Sequence, residues 1–162
     1  MNAAIFFVVG IAVVLQLTVA HQMQELGAPF NFVLAGAVLL GFFYGNYRGV
    51  AIAVFIAGLV LDAYSGAPYG TITAGLLAAA TVPAMISGVV PREHFLHFLL
   101  YGIAGTLSFY GTVLITMKAA NFSFSIPWTA AAQAIMVAIA GMVVLYGIYQ
   151  WSILLKNRRN GR

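Results

Sequence analysis

The residue best placed to do chemistry is Asp62, the only acid inside an apolar run. It stands in the stretch Gly58-Leu-Val-Leu-Asp62-Ala-Tyr-Ser65-Gly66-Ala-Pro68-Tyr-Gly70, where one long apolar run ends and another begins. A charge at the centre of a bilayer costs roughly 2.5–3.5 kcal/mol on insertion scales, so a carboxylate kept there needs a partner or a task. Asp62 falls in the last turn of its own predicted helix, the wrong end for a negative charge. The next helix starts within nine residues, and its N-terminus is the right end. Two roles follow. As a cap, Asp62 accepts backbone N–H groups near Gly70 and Thr71 and locks the corner. As a docking or ligand site, it acts with Ser65, Gly66, Pro68 and Gly70 on something outside the chain. The two roles can coexist.

Other polar groups are sparse. Glu93-His94-Phe-Leu-His97 puts two histidines three residues apart, on one face if the segment is helical. Zinc needs three or four ligands, and no further His or acid is expected on that side, so these read as interfacial polar residues. No metal and no cofactor is expected. The chain has no phosphate-binding loop, no nucleophile–base pair and no paired carboxylates. Asp62 and Glu93 are expected on opposite sides of a membrane and cannot share a catalytic step, so no enzyme is expected. Gln16 and Gln133 read as hydrogen-bond partners between helices.

The elements that carry these residues follow from composition. Of 162 residues, 63% are hydrophobic and 6% are charged, too few charges to cover a water-soluble domain of this size. The sequence therefore predicts an all-α polytopic membrane protein, a compact bundle forming one integral membrane domain over residues 1–162. A spanning helix needs about 20 apolar residues. Six runs meet or approach that length, at about 3–20, 29–44, 49–64, 71–90, 95–117 and 128–154. The first is longer than a signal-peptide core and reads as a retained helix. Pro29 suits the first turn of the second. Pro83 should kink the fourth. Trp128, Tyr149 and Trp151 lie where interfacial aromatics belong. The absence of cysteine excludes disulfides and thiolate chemistry.

Six crossings place both termini, Arg48 and Arg92 on one side. That side holds six basic residues (Arg48, Arg92, Lys156, Arg158, Arg159 and Arg162) against Lys118 alone on the other. Basic residues favour the cytoplasmic side, so both termini face inward and the Asp62 corner faces outward. Gly41, Gly45 and Gly49 recur at four-residue spacing, with Gly45 to Arg48 reading as a loop, and Gly58 lies on the next run. Gly102, Gly105, Ser108 and Thr112 offer a second small-residue face. Small residues let helix backbones approach closely, and the series from Gly41 to Gly49 reads as packing within one subunit in preference to a dimer seam.

The pattern Pro29-Phe-Asn31, then Gly45 and Gly49, then Gly58 to Gly70 with its GL-x-x-D-x-x-S-G-x-P-x-G spacing, resembles the MreD family of bacterial rod-shape-determining membrane proteins. The resemblance covers about residues 29–90 and is densest at the corner. Asn31 stands where many members are expected to carry an acid, and Val54 where a glycine is expected. The resemblance implies a multi-pass protein of the bacterial cytoplasmic membrane with a non-catalytic scaffold role in the elongation machinery of the cell wall. The partners implied are an MreC-like protein and, indirectly, MreB, a SEDS glycosyltransferase and a penicillin-binding transpeptidase; membrane lipids surround it, and no nucleic acid is involved. The alternative is a small-molecule-binding membrane subunit resembling the substrate-capture component of vitamin importers. Against it, an Ala-x-x-x-Ala docking face is missing from the first run, where Phe7 and Val8 follow Ala3 and Ala4.

Overall fold

A computed structural model describes residues 3–19, 31–43, 47–86 and 95–121, with isolated helical positions at 139, 143, 147, 150 and 151. Five helices occupy these residues: α1 (Ala3–Thr18), α2 (Phe32–Phe43), α3 (Tyr47–Ser65), α4 (Thr71–Ile86) and α5 (Phe95–Ala119). No strand occurs among the described residues. The fold class is thus all-α. Two helices, over Arg48–Ser65 and Leu99–Ala119, are long and apolar enough to cross a membrane. The apolar parts of α1, α2 and α4 are shorter, so the described residues provide two such helices where six crossings were expected. The run expected at 128–154 lies outside the described residues apart from Ile139, Val143, Gly147, Gln150 and Trp151.

Helix ends depart from the expected runs for local reasons. The second run was expected to open at Pro29, but Asn31 is not helical and α2 begins at Phe32. The Asn31 side chain explains the start: its Oδ1 accepts the Leu34 N–H at 2.9 Å, the geometry of an N-cap. Gln16 reaches across from α1 to accept the Phe32 N–H at 2.7 Å. One N-terminus is therefore capped by its own asparagine and by a glutamine from a neighbour. Asn31→Ala should lower stability by about 1 kcal/mol in detergent unfolding, whereas Asn31→Asp should hold it, because an acid suits a helix N-terminus. The loop expected at Gly45–Arg48 is shorter, since α3 already includes Tyr47 and Arg48. At the other extreme, α5 ends at Ala119, and Asn121 just beyond it has a φ of 55°, in the left-handed region, while its N–H bonds the Lys118 carbonyl at 3.1 Å.

The core gathers Ile5 and Val9 of α1, Val33 and Val38 of α2, Val50 and Val54 of α3, Leu76 and Ala79 of α4, and Tyr101 and Phe109 of α5. α4 is central, packing most extensively on α5 and α3 and also touching α2. Glycines set these crossings. A Cβ on Gly105 would stand 2.6 Å from Val38 and 3.2 Å from the Ala79 carbonyl, so α5 passes close to α2 and α4 at once. A Cβ on Gly41 would meet Tyr101 Oη at 2.7 Å and the Ala80 carbonyl at 3.2 Å. Pro83 lies buried within α4, which continues to Ile86 beyond it. Having no N–H, it leaves the Ala79 carbonyl without its usual i+4 donor.

Hydroxyls inside the helices bond to their own backbones. Thr18, Thr81, Thr106, Ser108 and Thr116 each donate to the carbonyl four residues earlier, at 2.6–2.9 Å. Thr18 and Thr81 do so although they are exposed. Large apolar side chains are also exposed, among them Phe7 on α1, Phe55 and Ile56 on α3, and Leu107 and Ile115 on α5.

Candidate functional site

The α3–α4 corner is built around Asp62. Its side chain is 4% exposed, and both oxygens are engaged. Oδ2 accepts the Gly70 N–H at 3.0 Å, the Thr73 N–H at 3.1 Å and the Thr73 hydroxyl at 2.5 Å. Oδ1 accepts the Ile72 N–H at 2.8 Å. Asp62 belongs to the last turn of α3, yet it serves the first turn of α4, whose N–H groups have no partners within their own helix. The positive end of the α4 dipole stabilises the carboxylate in return.

The turn between the helices follows from its residue types. Ser65 Oγ donates to the Asp62 carbonyl and accepts the Ala67 N–H, both at 3.2 Å. Gly66 has φ 66° and Gly70 has φ 93°, values that side-chain-bearing residues rarely adopt. A Cβ at either would meet nothing within 4 Å, so the glycines are needed for backbone conformation rather than for space. Pro68 cannot continue a helix, and its carbonyl accepts the Thr71 N–H at 3.1 Å.

Gly58 lies one turn before Asp62 on the same face of α3. A Cβ there would fall 2.6 Å from Thr73 Cα and 2.8 Å from Thr73 Oγ1. The missing side chain lets the two backbones close, and the closure brings the Thr73 hydroxyl to the carboxylate. Gly58, Asp62 and Thr73 therefore form one unit in which close packing and hydrogen bonding depend on each other.

Of the residues singled out from sequence, Asp62, Ser65, Gly66, Pro68 and Gly70 come together at this corner. Gly41 and Gly58 lie at close helix approaches, and Gly49 is buried in α3. Gly45, Glu93, His94 and Gln133 lie outside the described residues. Thr73 was not anticipated; its signal is a threonine in the first turn of the helix that the acid caps. Gly75 was not anticipated either, and a Cβ on it would stand 2.9 Å from the Phe109 ring. The corner also presents Tyr64 and Tyr69, 74% and 70% exposed, on either side of the turn.

With its oxygens filled and its surface covered, Asp62 is arranged to hold backbone rather than to take a proton from a solute. Among the described residues no three His, Cys, Asp or Glu side chains group to hold a metal ion. No protein-family model, curated protein or solved structure matches the chain.

Proposed function

We propose that this chain is a multi-pass helical protein of the bacterial cytoplasmic membrane, with six crossings and both termini inside. In this proposal it acts as a non-catalytic, MreD-like scaffold of the cell-wall elongation machinery and docks an MreC-like partner at its outward corner. The observation that carries the proposal is the corner itself. Its GL-x-x-D-x-x-S-G-x-P-x-G residues serve to fix one backbone shape, and that shape displays two tyrosines. Tyrosine combines a large apolar face with a polar tip and suits a protein interface at the edge of a membrane. Exposed apolar side chains on α1, α3 and α5 and the self-satisfied hydroxyls support the bilayer as solvent, since hydrocarbon offers neither donors nor acceptors.

Two measurements test this. Single cysteines at Ala67 and Asn121, in a chain with none of its own, should react with an impermeant thiol reagent from outside, and a cysteine at Arg48 should not. Labelling of Ala67 only after the membrane is opened would reverse the orientation. Tagged protein drawn from native membranes should carry with it a protein with a large extracytoplasmic domain, and rod-shaped cells depleted of the chain should round up. Normal shape after complete depletion would overturn the scaffold role.

A further inference from the structure

The residues of α3 are sorted by size. Its buried face alternates two four-residue series, Gly49-Ala53-Ala57-Leu61 and Val50-Val54-Gly58-Asp62, so small residues look inward. The outward face reads Arg48, Ile52, Ile56, Val60 and Tyr64, again every fourth residue, with Phe55 beside it. Ile56 is 49% exposed and Phe55 45%. Helices that pack on one another in a bilayer do so through small residues, which permit close backbone approach. On α3 those residues are already used against the chain's own helices. Between Arg48 and Val60 the exposed positions are Ile52, Phe55, Ile56 and Val60, all bulky, and the small exposed residues Ala63 and Ser65 come only at the corner end of the helix.

The order along that face also has a direction. Arg48 at one end and Tyr64 at the other are separated by 16 residues, about 24 Å along the helix. The hydrocarbon layer is about 30 Å thick, and an arginine stem extends to bring its charge to the headgroups. Asp62, the only acid among the described residues, lies about 21 Å from Arg48 along the helix axis and cannot neutralise it.

We infer that this face of α3 is covered by lipid rather than by protein, and that Arg48 takes the phosphate of an anionic phospholipid of the inner leaflet. The inference rests on the multi-pass reading but not on the scaffold role. The lipid-covered part of the face ends at Val60 and leaves Tyr64, beyond it on α3, and Tyr69, in the turn, as the surface open to a protein partner.

Spin labels on single cysteines at Ile52, Ile56 and Val60, with Leu107 of α5 as reference, test the first part in vesicles of phosphatidylethanolamine and phosphatidylglycerol. Collisions with oxygen should be frequent at all four and collisions with a water-soluble nickel chelate rare. Low oxygen access at Ile56 with high access at Leu107 would show that a protein covers α3 and overturn the inference alone. High nickel access at all four positions would overturn the membrane reading and the inference with it. For the second part, a bimane at residue 52 should be quenched at least twofold more by brominated phosphatidylglycerol than by brominated phosphatidylcholine. Arg48→Gln should abolish that preference and Arg48→Lys retain it. Equal quenching by the two lipids, or a preference that survives Arg48→Gln, would overturn the headgroup assignment.

Discussion

Gly58→Leu should prevent α3 and α4 from closing, and the variant should accumulate little folded protein in the membrane. The reason is steric and local. Even a single Cβ at Gly58 would stand 2.6 Å from Thr73 Cα, which is backbone and cannot rotate away. Overpacking of this kind costs about 1–3 kcal/mol when neighbours can shift. Here the shift moves Thr73 off Asp62, so the loss includes hydrogen bonds as well as packing. Gly58→Ala should therefore lower thermal stability in detergent clearly, and Gly58→Leu should abolish the cooperative transition. Gly10 supplies the contrast, because a Cβ there meets nothing within 4 Å. Gly10→Ala should hold or raise stability, by about 0.5–1 kcal/mol, through helix propensity alone. A Gly58→Ala variant that melts like Gly10→Ala would show that the crossing is not tight.

The corner was legible in the sequence because its causes are local. An acid at a helix end, a serine three residues on, and Gly and Pro at turn positions each carry their own conformational signature, and the left-handed Gly66 and Gly70 occupy those positions. The start of α2 was less legible because two signals competed. Pro29 suits a first turn, but the Asn31 side chain bonds the Leu34 N–H and fixes the start at Phe32, three residues after Pro29. Thr73 and Gly75 were missed because their importance lies across helix boundaries. Nothing near Gly75 in sequence announces the Phe109 ring, which comes from α5. Composition predicted apolar helices but not their lengths, since polar residues such as Asn31 can stop a helix inside an apolar stretch. Exposure of Tyr64 and Tyr69 depends on how the corner turns, and no spacing rule gives that direction.

Asp62 offers the sharpest separation of structure from docking. Its Oδ2 holds three donors and its Oδ1 holds one. An asparagine can keep its carbonyl oxygen at the Oδ2 position and lose only the Ile72 N–H, against which its own N–H₂ would then be set. A leucine keeps none. Hydrogen bonds to a charged group contribute about 1.5–3 kcal/mol, and a buried donor left alone costs about 1–3 kcal/mol. Thermal stability should therefore fall slightly for Asp62→Asn and severely for Asp62→Leu. Because the carboxylate is covered, folded Asp62→Asn should still carry the partner out of the membrane at low temperature. Tyr64→Ser and Tyr69→Ser should do the reverse, keeping wild-type melting while reducing partner recovery severalfold. Melting curves and co-purification measured on the same preparations decide between the roles. Wild-type melting with loss of the partner in Asp62→Asn would move the contact back onto the carboxylate. Full partner recovery with both tyrosines replaced would remove docking from this corner.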